Sequence, residues 1–169
     1  MVPKGNGQPL RMGGVLLKTK IIVRKFQDGR MLALDIPYEV SEGLGNVGLN
    51  EGIQLLLDIA GRGIYTSSFH SGVAHLGVGT FSGAPAATDT GLASGIAYRG
   101  MDTGYPTRSG QAIAWRATFT GAEANDLWNE FTAANASGDG AINLFHARSV
   151  QGTKTSGQSW ELTAEVTAA

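Results

Sequence analysis

A chain of 169 residues with 42% hydrophobic and only 16% charged side chains, against roughly 25% charged in an average soluble domain, suits a single core and excludes two full catalytic domains. Cysteine is absent, which removes disulfide scaffolds, thiolate zinc sites and cysteine nucleophiles. The net charge of -1 hides a segregation: residues 1–30 carry Lys4, Arg11, Lys18, Lys20, Arg24, Lys25 and Arg30 against Asp28 alone, a net of +6, so the other 139 residues sum to -7.

Residues 1–14, rich in glycine and proline, offer too little apolar burial to offset the entropy of ordering them and are expected to form an extended arm. Fully stretched, that arm reaches about 45–50 Å. Residues 15–169 are expected to form one domain. Its first element is a hairpin over 15–36: the β-branched run Val15–Arg24, turn chemistry at Asp28-Gly29, a second strand over 31–36, and Pro37 as its stop.

Over 46–60 the spacing of Leu49, Ile53, Leu56, Leu57 and Ala60 predicts a one-sided helix, capped by Asn46 or Asn50 and closed by Gly61. Beyond Gly63, short apolar stretches punctuated by Gly, Ser, Thr, Pro and Asn predict strands over 74–79, 95–102, 111–120, 141–149 and 158–167. Two of these alternate cleanly. Ile113, Trp115, Ala117 and Phe119 share one face, as do Trp160, Leu162, Ala164 and Val166, and these faces together with Leu49, Ile53, Leu56 and Leu57 are the expected core. Segment 122–134 fits a helix through Ala124, Leu127, Trp128 and Phe131, and equally a strand through Leu127, Asn129 and Phe131.

Groups able to do chemistry are sparse. The imidazoles are His70, His75 and His146, and the spacing of the first two suits neither one helix face nor one strand face. A metal held by them with Asp89 is conceivable on residue type alone; histidines with ordinary structural partners are the better expectation. No Gly-x-Ser-x-Gly elbow is present. Glu123 with Glu130, or Glu161 with Glu165, supply carboxylate pairs, but Glu161 and Glu165 fall opposite the apolar face of their strand, where solvated charge is expected. Gly77-x-Gly79 and Gly5-x-Gly7 are fragments of phosphate-loop patterns and complete none. Asn135-Ala136-Ser137 matches a glycosylation acceptor, read here as incidental. Tyr98 with Arg99, and Trp115 with Arg116, are split across strand faces, which argues against base stacking combined with phosphate contact. No enzymatic activity, cofactor or metal is expected, and no membrane span, because runs such as Leu55–Leu57 fall far short of the roughly 18 apolar residues that cross a bilayer.

The order of segments carries a further signal. Asn46-Val47-Gly48-Leu49-Asn50 before a Leu-rich helix, then Leu76-Gly77-Val78-Gly79, Ala84-Pro85-Ala86-Ala87-Thr88-Asp89-Thr90, Trp128-Asn129-Glu130-Phe131, and Lys154-Thr155-Ser156-Gly157-Gln158 before a terminal strand, resembles small virion proteins of tailed bacteriophages over roughly residues 46–167. Members of that group look like head decoration (cement) proteins or short tail-associated proteins. The resemblance implies an oligomeric β-sandwich attached to a capsid or tail.

The resulting expectation is a mainly β protein: an antiparallel, jelly-roll-like β-sandwich with one flanking helix and an extended N-terminal arm. Made in the host cytoplasm, it would bind the outside of the head and hold major capsid subunits together, as a homotrimer in preference to a dimer. Lys4, Arg11, Lys18, Lys20 and Arg24 are the candidate docking residues. The alternative is a tail-fibre, collar or receptor-binding module.

Overall fold

A computed structural model describes residues 11–12, 15–44, 46–63, 68–138 and 140–168. The β-branched run near the start forms a long strand, β2 (Val15–Phe26), preceded by the two-residue strand β1 (Arg11–Met12). Otherwise the expected arm lies outside the described residues.

The Asp28-Gly29 hairpin turn does not form. Asp28 sits in extended conformation, with φ -155°, and its carboxylate accepts a hydrogen bond from the Met31 amide at 2.8 Å, so it caps the short helix α1 (Gly29–Ala33). Asp35, at φ 57°, turns the chain out of that helix. The antiparallel partner of β2 therefore begins beyond Pro37, as β3 (Glu39–Leu44), with Lys25 opposite Glu39 and Ile21 opposite Gly43.

From β3 the chain crosses to a second sheet. Asn46–Gly48, expected as the start of a helix, is strand β4. Helix α2 spans Asn50–Arg62 and closes at Gly63, in left-handed conformation at φ 66°, two residues past the expected stop. Its inward side is also rotated relative to expectation. Leu55 is buried, Ile53 and Leu56 are half-buried, and Leu57 is 50% exposed, contrary to its assignment to the core. Gly52 decides the rotation: a Cβ there would lie 2.5 Å from both Asn143 O and Leu144 Cα, so the helix meets the body through a bare backbone.

The remaining strands are β5 (His75–Gly79), β6 (Gly95–Gly100), β7 (Thr107–Ser109), β8 (Ala112–Phe119), β9 (Leu127–Ala134), β10 (Phe145–Thr153) and β11 (Ser159–Ala168). The ambiguous segment thus resolves as a strand, β9. The first sheet runs β1-β2-β11-β8-β7 with β3 also on β2; the second runs β4-β10-β9-β5-β6; every pairing is antiparallel. The protein is the antiparallel β-sandwich expected, flanked by α2.

Between the sheets the alternating faces meet. Trp115, Phe119, Trp160 and Leu162 are buried as expected, as is Leu49. Trp128 of the second sheet packs edge-on against Phe119 and Trp160 of the first, each with ring centroids 5.0 Å apart. Val166 packs on the edge of this core, whereas Ile113 is 40% exposed, contrary to expectation. Both line an apolar hollow of about 420 Å³ with Leu17, Leu56, Ile59 and Phe69.

Candidate functional site

The outward side of the second sheet is covered instead of solvated. The loop from Thr80 to Ser94, between β5 and β6, lies over β9 and β10, and beneath it Glu130 and His146 are almost wholly buried. This arrangement demands polar partners, because a buried charge or hydrogen-bonding group without one costs several kcal/mol.

Glu130 is the centre of that network. Its Oε1 accepts from the amides of Phe81 at 3.2 Å and Ser94 at 2.7 Å, and its Oε2 from the amide of Ala93 at 2.9 Å. His146 Nε2 lies 3.0 Å from the same Oε2, and His146 Nδ1 lies 2.8 Å from Asp89 Oδ2, which also accepts the Ala86 amide at 2.8 Å. Burial alone would raise the Glu130 carboxyl. Its hydrogen bonds from His146 and from the three amides outweigh that and hold it below the usual carboxylate range. Burial alone would likewise lower the His146 imidazole, but the hydrogen bonds and charges of Glu130 and Asp89 hold it above the ordinary value.

The glycines of β5 make room for this site. A Cβ at Gly79 would stand 2.3 Å from Glu130 Oε1 and 2.5 Å from Ser94 O; one at Gly77 would meet Tyr98 and Thr132. The Gly-x-Gly fragment thus admits a carboxylate of the protein itself.

A second buried charge is Lys154, 1% exposed. Its Nζ donates to the carbonyls of Thr120 at 3.0 Å, Gly121 at 3.3 Å and Glu123 at 2.9 Å, and to Asn125 Oδ1 at 2.9 Å, organising the turn into β9 from within. Desolvation lowers its pKa, with the charge of Glu123 opposing. Glu123 itself accepts the Thr120 amide and hydroxyl and pairs with Arg99. Glu123 and Glu130, paired in the sequence reading, therefore do separate work.

Glu161, expected to be solvated, is 6% exposed and lies between Arg24 at 3.2 Å and Arg116 at 3.4 Å on the outer face of the first sheet. Arg24 also pairs with Asp35, and Arg116 with Asp102. Lys20 pairs with Glu42, and the buried Lys25 donates to Glu39 and to Gln151 O, both at 2.6 Å. Of the candidate docking cations, Lys20 and Arg24 are thus engaged by acids of the same molecule, while Lys18 is exposed. Lys4 and the side chain of Arg11 lie outside the described residues.

His70 Nδ1 accepts the Gly72 amide, and His75 Nδ1 lies 2.8 Å from Val73 O. Among the described residues no group of three or more His, Asp or Glu is arranged to hold a metal ion, and no helix is long and apolar enough to cross a membrane.

The surface carries one segment of unusual character. Leu34, Ile36, Tyr38 and Val40, alternate residues leading out of α1 into β3, are 59%, 52%, 45% and 53% exposed. Leu34 and Ile36 fall in the expected second hairpin strand over 31–36, whereas Tyr38 and Val40 lie beyond its stop at Pro37, so the pattern does not single these four residues out together. No family model, curated protein or solved structure matches the chain.

Proposed function

We propose that the protein is a structural component of a tailed-phage particle, a decoration protein that seats on the outside of the head and ties major capsid subunits together. The observation that carries the reading is the run of exposed apolar residues Leu34, Ile36, Tyr38 and Val40, leading in the chain into β3 of a sheet whose cations are largely matched by its own acids. Four exposed apolar side chains within seven residues are a concentration of the kind that contacts other protein. The internal pairing of Lys20 and Arg24 moves the emphasis of docking from charge to apolar contact, with Lys18 and the segment before residue 15 as the remaining cationic contribution. Many copies acting together secure a shell even when each contact is modest.

The test adds purified protein to expanded heads that lack it and follows co-sedimentation and shell disruption on heating. Wild-type protein is expected to bind and to raise the disruption temperature. The double substitution Ile36→Ser, Val40→Ser should leave the circular dichroism unchanged and weaken binding at least about tenfold, the size of a loss of some 1.4 kcal/mol. Failure of the wild-type protein to bind any head would overturn the reading; full binding by the double variant would remove the apolar run from it. Copy number per particle separates head from tail, since a tail, collar or fibre protein is present in few copies.

A further inference from the structure

The loop from Thr80 to Ser94 is held to the second sheet mainly by the one buried network. Its amides at Phe81, Ala93 and Ser94 reach Glu130, its Asp89 reaches His146, its Thr80 carbonyl accepts from Asn129 Nδ2 at 3.2 Å, and its Ala87 carbonyl accepts the Asn50 amide at 2.9 Å. The imidazole is the only member of that network placed between two carboxylates.

The partners of the ring suit one protonation state, with both carboxyls ionised. Glu130 accepts three amides and Asp89 accepts one, so both present acceptor oxygens to His146. A neutral imidazole has one N–H and one lone pair, and would set that lone pair against a carboxylate oxygen. Donating from both nitrogens, at 2.8 Å and 3.0 Å, requires the imidazolium. The ring is 1% exposed, so no bulk solvent relieves a mismatch.

We propose that His146 is a pH-released clasp: as an imidazolium it pins the Thr80–Ser94 loop to the second sheet, and loss of its proton frees Asp89 and slackens the loop. The charges acting on the ring are Glu130 from β9 and Asp89 from the loop; β4 places the uncharged Val47 opposite it, and the loop adds the Phe81 ring at 6.4 Å. The sign follows from linkage. Because the folded imidazole is held above the ordinary 6.5, its contribution is complete below that value and is lost as pH rises through the folded value. On the acid side the clasp is lost once Glu130 takes up a proton, which its hydrogen bonds place below the ordinary 4.5.

The experiment uses the intact protein, labelled with nitrogen-15. Imidazole spectra are recorded as pH is raised, with His70 and His75 as references, alongside amide protection factors corrected for the intrinsic pH dependence of exchange. His146 is expected to keep both ring nitrogens protonated past pH 6.5, the ordinary imidazole midpoint. Protection at Phe81, Ala93 and Ser94 should fall at least about tenfold with the same midpoint at which His146 deprotonates, while amides paired between β2 and β11 hold theirs. Asp89→Asn removes one of the two charges; it should lower the His146 midpoint and carry the loop transition down with it. A bare ring nitrogen on His146 near pH 6 would overturn the proposal, as would loop protection that does not move across the His146 titration. Both readouts come from wild-type protein and stand even if the variant fails to fold.

Discussion

Lys154 illustrates how single residues hold this molecule together. A buried ammonium normally carries a heavy desolvation cost, which is the direction of its shifted pKa, yet here four oxygens converge on three protons. The side chain acts as a tethered cation around which residues 120–125 wrap. Lys154→Met keeps the apolar stem and leaves three carbonyls and the Asn125 amide oxygen without their donor. A loss of about 3 kcal/mol is expected, read as a lower urea midpoint at unchanged slope. In the sequence Lys154 stands only at the head of the segment before the terminal strand, since nothing in its neighbours signals that its partners lie some thirty residues earlier.

Among the elements, legibility tracked how each one is buried. β8 and β11 alternate because one face meets the core and the other meets water or charge, and their inner faces were readable from Trp115 to Phe119 and from Trp160 to Ala164, failing at Ile113, which opens onto the apolar hollow. β9 was not, because Trp128 to Ala134 are all buried: the core lies on one side and the covering loop on the other, so the period of two disappears. α1 was missed because Asp-Gly serves both a tight turn and a helix cap, and the choice is made by whether the carboxylate reaches an amide three residues on. For α2 the existence of the helix was plain and its rotation was not, since that depends on Gly52 meeting the Asn143–Leu144 backbone. Alanine is about 1 kcal/mol better than glycine in a helix interior, yet Gly52→Ala should destabilise the protein, by about 2 kcal/mol net, because backbone must move to admit the methyl group. Thermal unfolding of that single variant decides it; a rise in Tm would mean that the helix can shift away without loss.

On the scale of the whole molecule, the two sheets are joined by one aromatic cluster. Trp128 contacts Phe119 and Trp160 of the facing sheet and Phe131 of its own, and its indole Nε1 donates to Ala124 O at 2.8 Å. Trp128→Ala should cost about 3–5 kcal/mol and unfold both sheets in the same transition, checked by coincident fluorescence and circular dichroism curves. The buried network was illegible for a related reason. Asp89, Glu130 and His146 were each visible as residues with chemistry, but they meet only because β9 and β10 pair while the loop after β5 folds back over them, across separations of 57 and 16 positions. The register of that pairing, which no local pattern encodes, decides which side chains share the covered face.

The pairing of β2 with β11 sets Leu17 opposite Ala168 at one end of the ladder and Phe26 opposite Ser159 at the other. Entry to and exit from the body are therefore neighbours. A bulky label carried at Ala168 would crowd the pole where Leu17 lies, whereas the turn through Thr155, Ser156 and Gly157, exposed at the far pole, is the place for a label that leaves that doorway clear.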